Sequence, residues 1–239
     1  MTDILVAIGL TVSAPVTVAL IVGSSPVPTQ SRTALALGLM VWFGLTVVLG
    51  VTGALDVRHL GTPGVGAFVL VPVAILAYLA TRVPLLRRVL LGTPVPILVL
   101  VHVGRILGVA FLVLYADARL SAPYAPIAGW VDIVIACTAV PVALLLASRS
   151  NSASRRVALC WNTVGFLDLL VAVGLGVTSA PDSPLQIFTH DPGTAQMSGL
   201  PMLIIPVFLV PLYLLSHLAI FYRLLRPAAT NESVVGHAA

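Results

Sequence analysis

Nine side chains in the last four apolar stretches of the sequence have the chemistry of a reactive site: His102, Arg105, Asp132, Trp161, Asn162, Phe166, Asp168, Tyr213 and His217. All sit in stretches so apolar that they belong inside a bilayer. A charged group at the bilayer centre costs at least about 2.5–3.5 kcal/mol, so it needs a partner, a cavity or a function. A carboxylic acid in an apolar cavity can protonate an alkene or a carbonyl, and a histidine or second carboxylate can take the proton back. This assigns acid/base roles to Asp168, Asp132, His102 and His217, with Arg105 as counter-charge. Asn162, Trp161, Tyr213 and Phe166 are the expected substrate-binding groups, the aromatic ones able to stabilise a cationic intermediate.

Their spacing groups them. His102 and Arg105 are three residues apart and share a helix face. Gly104 and Gly108 beside them have the GxxxG spacing that allows close helix approach. Trp161, Gly165, Asp168 and Ala172 share a second face, and Pro206, Tyr213 and His217 a third. At 1.5 Å per residue, Arg105 lies about 15 Å and Asp168 about 16 Å from the same edge of the bilayer, both near mid-depth. We expect an Arg105–Asp168 ion pair there, with His102, Asn162 and His217 as a polar layer beneath it and Cys160 and Trp161 near its floor. Asp132 is expected much nearer the opposite surface, where the preceding Gly129-Trp130 would suit an interfacial helix N-cap.

Several functions fit these groups. The first is a membrane-embedded enzyme using acid/base chemistry on a lipid, quinone or isoprenoid. The second is a proton-coupled transporter, since intramembrane Asp, Arg and His are proton-relay parts. The third is a b-type haem protein, His102 and His217 supplying axial imidazoles. A receptor or assembly factor without chemistry is the fourth, and the polar groups would then serve only as interhelical glue.

The elements that must position these residues are membrane helices. The chain has 239 residues, 59% hydrophobic and 8% charged, and a mean hydropathy of +1.11. A soluble domain carries about 25% charge. Stretches of roughly 20 apolar residues predict seven spans, at 4–23, 33–55, 65–81, 95–116, 127–147, 157–179 and 201–222, the third being the shortest. The fold class is therefore all-α, a polytopic bundle over residues 1–226 with a short disordered tail at 227–239. Arginines near span ends divide unevenly: nine (32, 82, 87, 88, 149, 155, 156, 223, 226) on one side, two (58, 119) on the other and Arg105 within a span, accounting for all 12 basic residues. By the positive-inside rule the N-terminus is outside and the C-terminus in the cytoplasm, in a cytoplasmic (inner) membrane. The first charge is Asp3, so the first span reads as a retained helix rather than a signal peptide.

Composition also excludes chemistry. Every basic residue is Arg, so neither retinal nor PLP can form its Schiff base. No basic cluster interleaved with aromatics speaks for nucleic acid. Cys137 and Cys160 fall inside spans and read as small buried residues rather than a disulfide. The irregular spacing of Asp182, His190 and Asp191 does not suit a metal site. The expected partners are the bilayer and a lipophilic small molecule. The connection at 180–200 is the longest, and its Leu185–Phe188 stretch is a candidate lid. Val-Pro recurs at 71–72, 140–141 and 210–211, the pattern a two-helix repeat would leave.

Two stretches, Arg105 through Ala128-Gly129-Trp130-Val131-Asp132 and Trp161-Asn162 with Gly165 and Asp168, resemble a group of uncharacterised multi-pass bacterial membrane proteins. The likeness covers about the C-terminal half, and implies a multi-pass membrane fold without carrying an activity.

Overall fold

A computed structural model of the chain describes residues 2–56, 60–149 and 151–226. Arg58 and the tail expected at 227–239 lie outside the described residues. Within them the structure is helical, without strands. The helices are α1 (Thr2–Gly23), α2 (Thr29–Thr52), α3 (Gly61–Arg82), α4 (Pro84–Gly92), α5 (Val95–Ala116), α6 (Tyr124–Ser148), α7 (Ser152–Thr178) and α8 (Ile205–Leu225). Among the described residues, all but α4 are long and apolar enough to cross a membrane, seven in total. The third span, the weakest in the sequence, is a helix of 22 residues.

The helices start and stop for local reasons. α3 ends where Val83 turns extended ahead of Pro84, and Pro84 then opens α4 at a first-turn position that needs no N–H donor. This short helix falls in a connection that the sequence reading leaves without structure. Asn151 and Ser154 form a reciprocal capping box at the start of α7, with Ser154 N donating to Asn151 Oδ1 at 2.9 Å. Arg155 donates to the carbonyls of Leu224 and Arg226, so one helix's first turn closes the last turn of another. Pro211 has no N–H to return to residue 207, and the backbone ahead of it widens to a π-helical turn over Ile205–Leu209.

α8 is the centre of the bundle. Of its most apolar window 72% is buried, against 6% for α2. It packs against α3, α4, α5 and α7, while α5 packs most closely on α6. The outer faces carry exposed Ile, Leu and Val, as a lipid-facing surface should. Cys137 and Cys160 are exposed there as well, which corrects the expectation that both are buried. In a bilayer a small apolar residue gains nothing by facing inward, so apolarity does not report burial.

Candidate functional site

The site is built on an irregular stretch of α5. Over Val101–Gly108 the helix tightens to a 3₁₀ winding, longer than the three or four residues usual for this form. Residues i and i+3 then eclipse. Accordingly His102, Arg105 and Gly108 are buried, while Val103, Ile106 and Val109 are 37%, 42% and 47% exposed. The three-residue period lines up the histidine and the arginine against α6, α7 and α8.

Arg105 is 2% exposed and uses three nitrogens on three acceptors. Its Nε donates to Asp132 Oδ1 of α6 at 2.5 Å, and its Nη1 donates to the Gly165 carbonyl of α7 at 3.0 Å. Its Nη2 pairs with Asp168 Oδ2. One guanidinium thus faces two carboxylates. Glycines make the approach possible. A Cβ on Gly108 would strike Asp132 Cβ, and one on Gly129 would meet Leu112 at 2.7 Å and the Gly108 carbonyl at 3.1 Å. A Cβ on Gly165 would sit 2.7 Å from His217 Cε1 and 3.3 Å from Arg105 Nη1.

Asp132 is therefore not an interfacial N-cap, the alternative to an acid/base role that its place in the sequence allows. α6 starts at Tyr124, earlier than the predicted 127, and Asp132 lies two turns inside it. Its carboxyl belongs to the same ion cluster as Asp168.

Behind Arg105 lies a pair of histidines. The rings of His102 and His217 lie against one another, tilted by 34° with centroids 4.0 Å apart. Ser216 Oγ donates to the Tyr213 carbonyl at 2.8 Å, so its 2.8 Å contact with His102 Nε2 is carried by an imidazole N–H. Asn162 Nδ2 donates to the His217 carbonyl at 3.2 Å, which turns Asn162 Oδ1 toward His217 Nδ1 at 2.7 Å as an acceptor. These bonds place the hydrogens on His102 Nε2 and His217 Nδ1. The second ring nitrogens, His102 Nδ1 and His217 Nε2, are buried with no hydrogen-bond partner among the described residues. Trp161 packs edge-on to His102 and donates from Nε1 to Thr138 Oγ1 at 2.9 Å. The Tyr213 ring packs against His102 at a 38° tilt, and Phe166 packs edge-on against His217 at 6.2 Å.

This geometry gives the haem reading no support. A haem ligated by His102 and His217 would stand between the two rings, and rings in van der Waals contact leave no room for a macrocycle. Among the described residues no group of three or more His, Cys, Asp or Glu converges as for a metal ion.

An apolar cleft runs into the bundle from the end opposite the arginine-rich one. Its cavity volume is about 90 Å³, and it opens outward into a wider mouth. Val69 of α3, Phe111 of α5, Ala172 and Gly176 of α7 and Val210 of α8 form its walls, and Asp132 is its one charged residue. Pro181, Thr194 and Met197 cover it. That cover is tied down: Thr194 Oγ1 donates to the Gly176 carbonyl at 2.8 Å, and Gly193 N donates to Ser121 Oγ at 3.0 Å. Leu185 and Ile187, expected in a lid, are instead 64% and 70% exposed and do not line the cleft. Of the sequence-chosen residues only Asp132 borders it. Arg105 and Asp168 lie behind Asp132, whereas Asn162, Trp161, Tyr213 and Phe166 surround the histidines. Sequence reasoning did not single out Ser216 or Thr138, although Ser216 adjoins His217.

Gly165→Ala is expected to push His217 from Asn162 and loosen α7 against α8. The cost should be about 1–3 kcal/mol, as for overpacking a tight core, read as a lowered thermal midpoint in detergent. An unchanged midpoint would mean that the contact is slack.

Among known proteins, no curated protein and no solved structure matches the chain. The family profile described as Domain of unknown function (DUF8737) matches residues 62–225. That match spans most of the chain and the whole polar cluster, from His102 to His217; the protein is a multi-pass helical membrane protein and belongs to the DUF8737 family.

Proposed function

We propose that the protein is a membrane-embedded acid/base catalyst acting on a lipophilic substrate held in the apolar cleft, with Asp132 as the proton donor and acceptor. One observation carries this reading: the cleft ends on the more exposed carboxyl of a cluster in which two carboxylates share one arginine. Side-chain exposure is 14% for Asp132, 5% for Asp168 and 1% for Arg105. Arg105 can balance one carboxylate fully, so the second is the group free to exchange a proton with a bound molecule. Asp168 and the Gly165 carbonyl hold the guanidinium while Asp132 does so. A proton given to one carbon of an alkene or one oxygen of a carbonyl, and a proton taken back from a neighbouring carbon, would complete an isomerisation with no co-reactant. An apolar wall with one polar floor matches the chemistry of lipid, quinone and isoprenoid substrates, whose polar end would enter the cleft.

His102 and His217 form a second polar layer behind Arg105, each with one buried ring nitrogen that has no hydrogen-bond partner among the described residues. By the arginine distribution the arginine-rich side is the cytoplasm, which puts the N-terminus and the cleft mouth outside in a cell inner membrane. Proton-coupled transport is the second reading. It is favoured by the 3₁₀ winding of α5 and the π turn of α8, because irregular helices at a midplane site are a transporter feature.

The test is to extract the protein in mild detergent and identify the small molecule that leaves with it by mass spectrometry. We expect a lipophilic compound with one ionisable or carbonyl-bearing end, which the purified protein then isomerises. A proton current in liposomes without any conversion would favour the transport reading instead.

A further inference from the structure

We infer that a second site, the groove between α3, α4 and α8 at the arginine-rich end, binds an anionic phospholipid, with an acyl chain in the groove and the phosphate on Arg87. This goes beyond the acid/base reading and does not depend on it. Ala77 and Ala80 of α3 face Leu215 and Leu218 of α8 across the groove, and Leu90 of α4 closes its end. Two small residues opposite two leucines leave a channel with apolar walls. Arg87 stands on its rim.

Charge selects the headgroup. Arg87 and Arg88 are exposed at the corner where α3 gives way to α4, and Arg82, whose guanidinium lies over the Tyr78 ring, ends α3 there. α4 turns Val89 inward and both its arginines outward, the arrangement of a helix lying at a membrane surface. Other arginines of this end are engaged: Arg32 Nε donates to the Val27 carbonyl, Arg155 to two carbonyls, Arg223 to the Thr93 carbonyl, and Arg226 lies over the Tyr222 ring. Among the described residues, no hydrogen bond or ion pair occupies Arg87 or Arg88. Among the described residues, no acidic residue falls on this side of the bundle. An unpaired cationic corner above an apolar channel matches a phosphate joined to an acyl chain, the chemistry of basic lipid pockets between membrane helices.

The test reconstitutes the full chain in nanodiscs of equal parts phosphatidylglycerol and phosphatidylcholine with the same acyl chains, and reads the retained lipids by native mass spectrometry. Phosphatidylglycerol should be enriched, and Arg87→Gln should reduce the enrichment about fivefold. Arg149→Gln, an exposed arginine at the same end, should leave it unchanged. Ala80→Phe, which fills the channel without touching a charge, should lower the retained lipid and keeps the test open if Arg87→Gln fails to fold. No enrichment would overturn the proposal. So would equal loss in Arg87→Gln and Arg149→Gln, which marks diffuse surface charge. Displacement of the lipid by inorganic phosphate with Ala80→Phe silent would also overturn it, since the groove would then play no part.

Discussion

Arg105→Leu is expected to reduce folded protein sharply, because it leaves the Asp132 and Asp168 carboxylates facing one another inside the bundle with no cation between them. Removing one partner of a buried ion pair costs about 3–5 kcal/mol, most of it the stranded charge rather than the lost bond. Here two carboxylates and the Gly165 carbonyl lose their donor together. A typical domain has only about 5–15 kcal/mol of net stability, so folded yield and thermal midpoint in detergent should both fall. Adding Asp132→Asn and Asp168→Asn to Arg105→Leu should recover much of the loss, since the repulsion is gone. A single Arg105→Leu variant that melts like the parent would show that the cluster is not what holds α5, α6 and α7 together.

The second large effect separates function from structure. Asp132→Asn leaves Arg105 paired with Asp168 and keeps an oxygen that can accept from Nε. Its thermal midpoint should therefore stay close to the parent's. Conversion of the bound substrate should fall at least about a hundredfold, the lower end of what a positioned acid or base contributes. Asp168→Asn is the contrast: Asp132 then becomes the sole counter-charge of Arg105, and activity should drop with a flattened pH profile rather than vanish. If Asp132→Asn converts substrate at the parent rate while Asp168→Asn abolishes conversion, the acid/base role belongs to the deeper carboxyl.

The spans were legible in the sequence because length and apolarity alone decide whether a helix can cross a bilayer. Arg105 and Asp168 were legible as partners because each is charged and their depths, counted from span ends, agree. The depth of Asp132 is not legible in the sequence because α6 begins at Tyr124, three residues ahead of the apolar stretch's apparent start, and because Gly108 and Gly129 let α5 approach closely enough for Arg105 to reach it. Which apolar helix is central was not legible either. Lipid and protein interior are equally apolar to a leucine, so the burial of α8 and the exposure of α2 leave no periodic trace. Cys137 and Cys160 were misplaced for the same reason. α4 escaped notice because nine residues are too few to span, although Pro84 at its start and the apolar flanks of Arg87-Arg88 mark it. The 3₁₀ winding of α5 has no compositional signature. It sets which face of His102 and Arg105 meets the bundle, and it had to be seen in three dimensions.

The cleft is the central claim, and Ala172→Trp tests it most directly. Ala172 lines the cleft from α7 and takes no part in the ion cluster, so an indole there fills the space and leaves Arg105, Asp132 and Asp168 in place. Native mass spectrometry of the parent and of Ala172→Trp, purified identically, compares what each retains. A lipophilic small molecule on the parent, lost from a variant that still folds, is the expected result. The same molecule held equally by both proteins would contradict the cleft as the binding site.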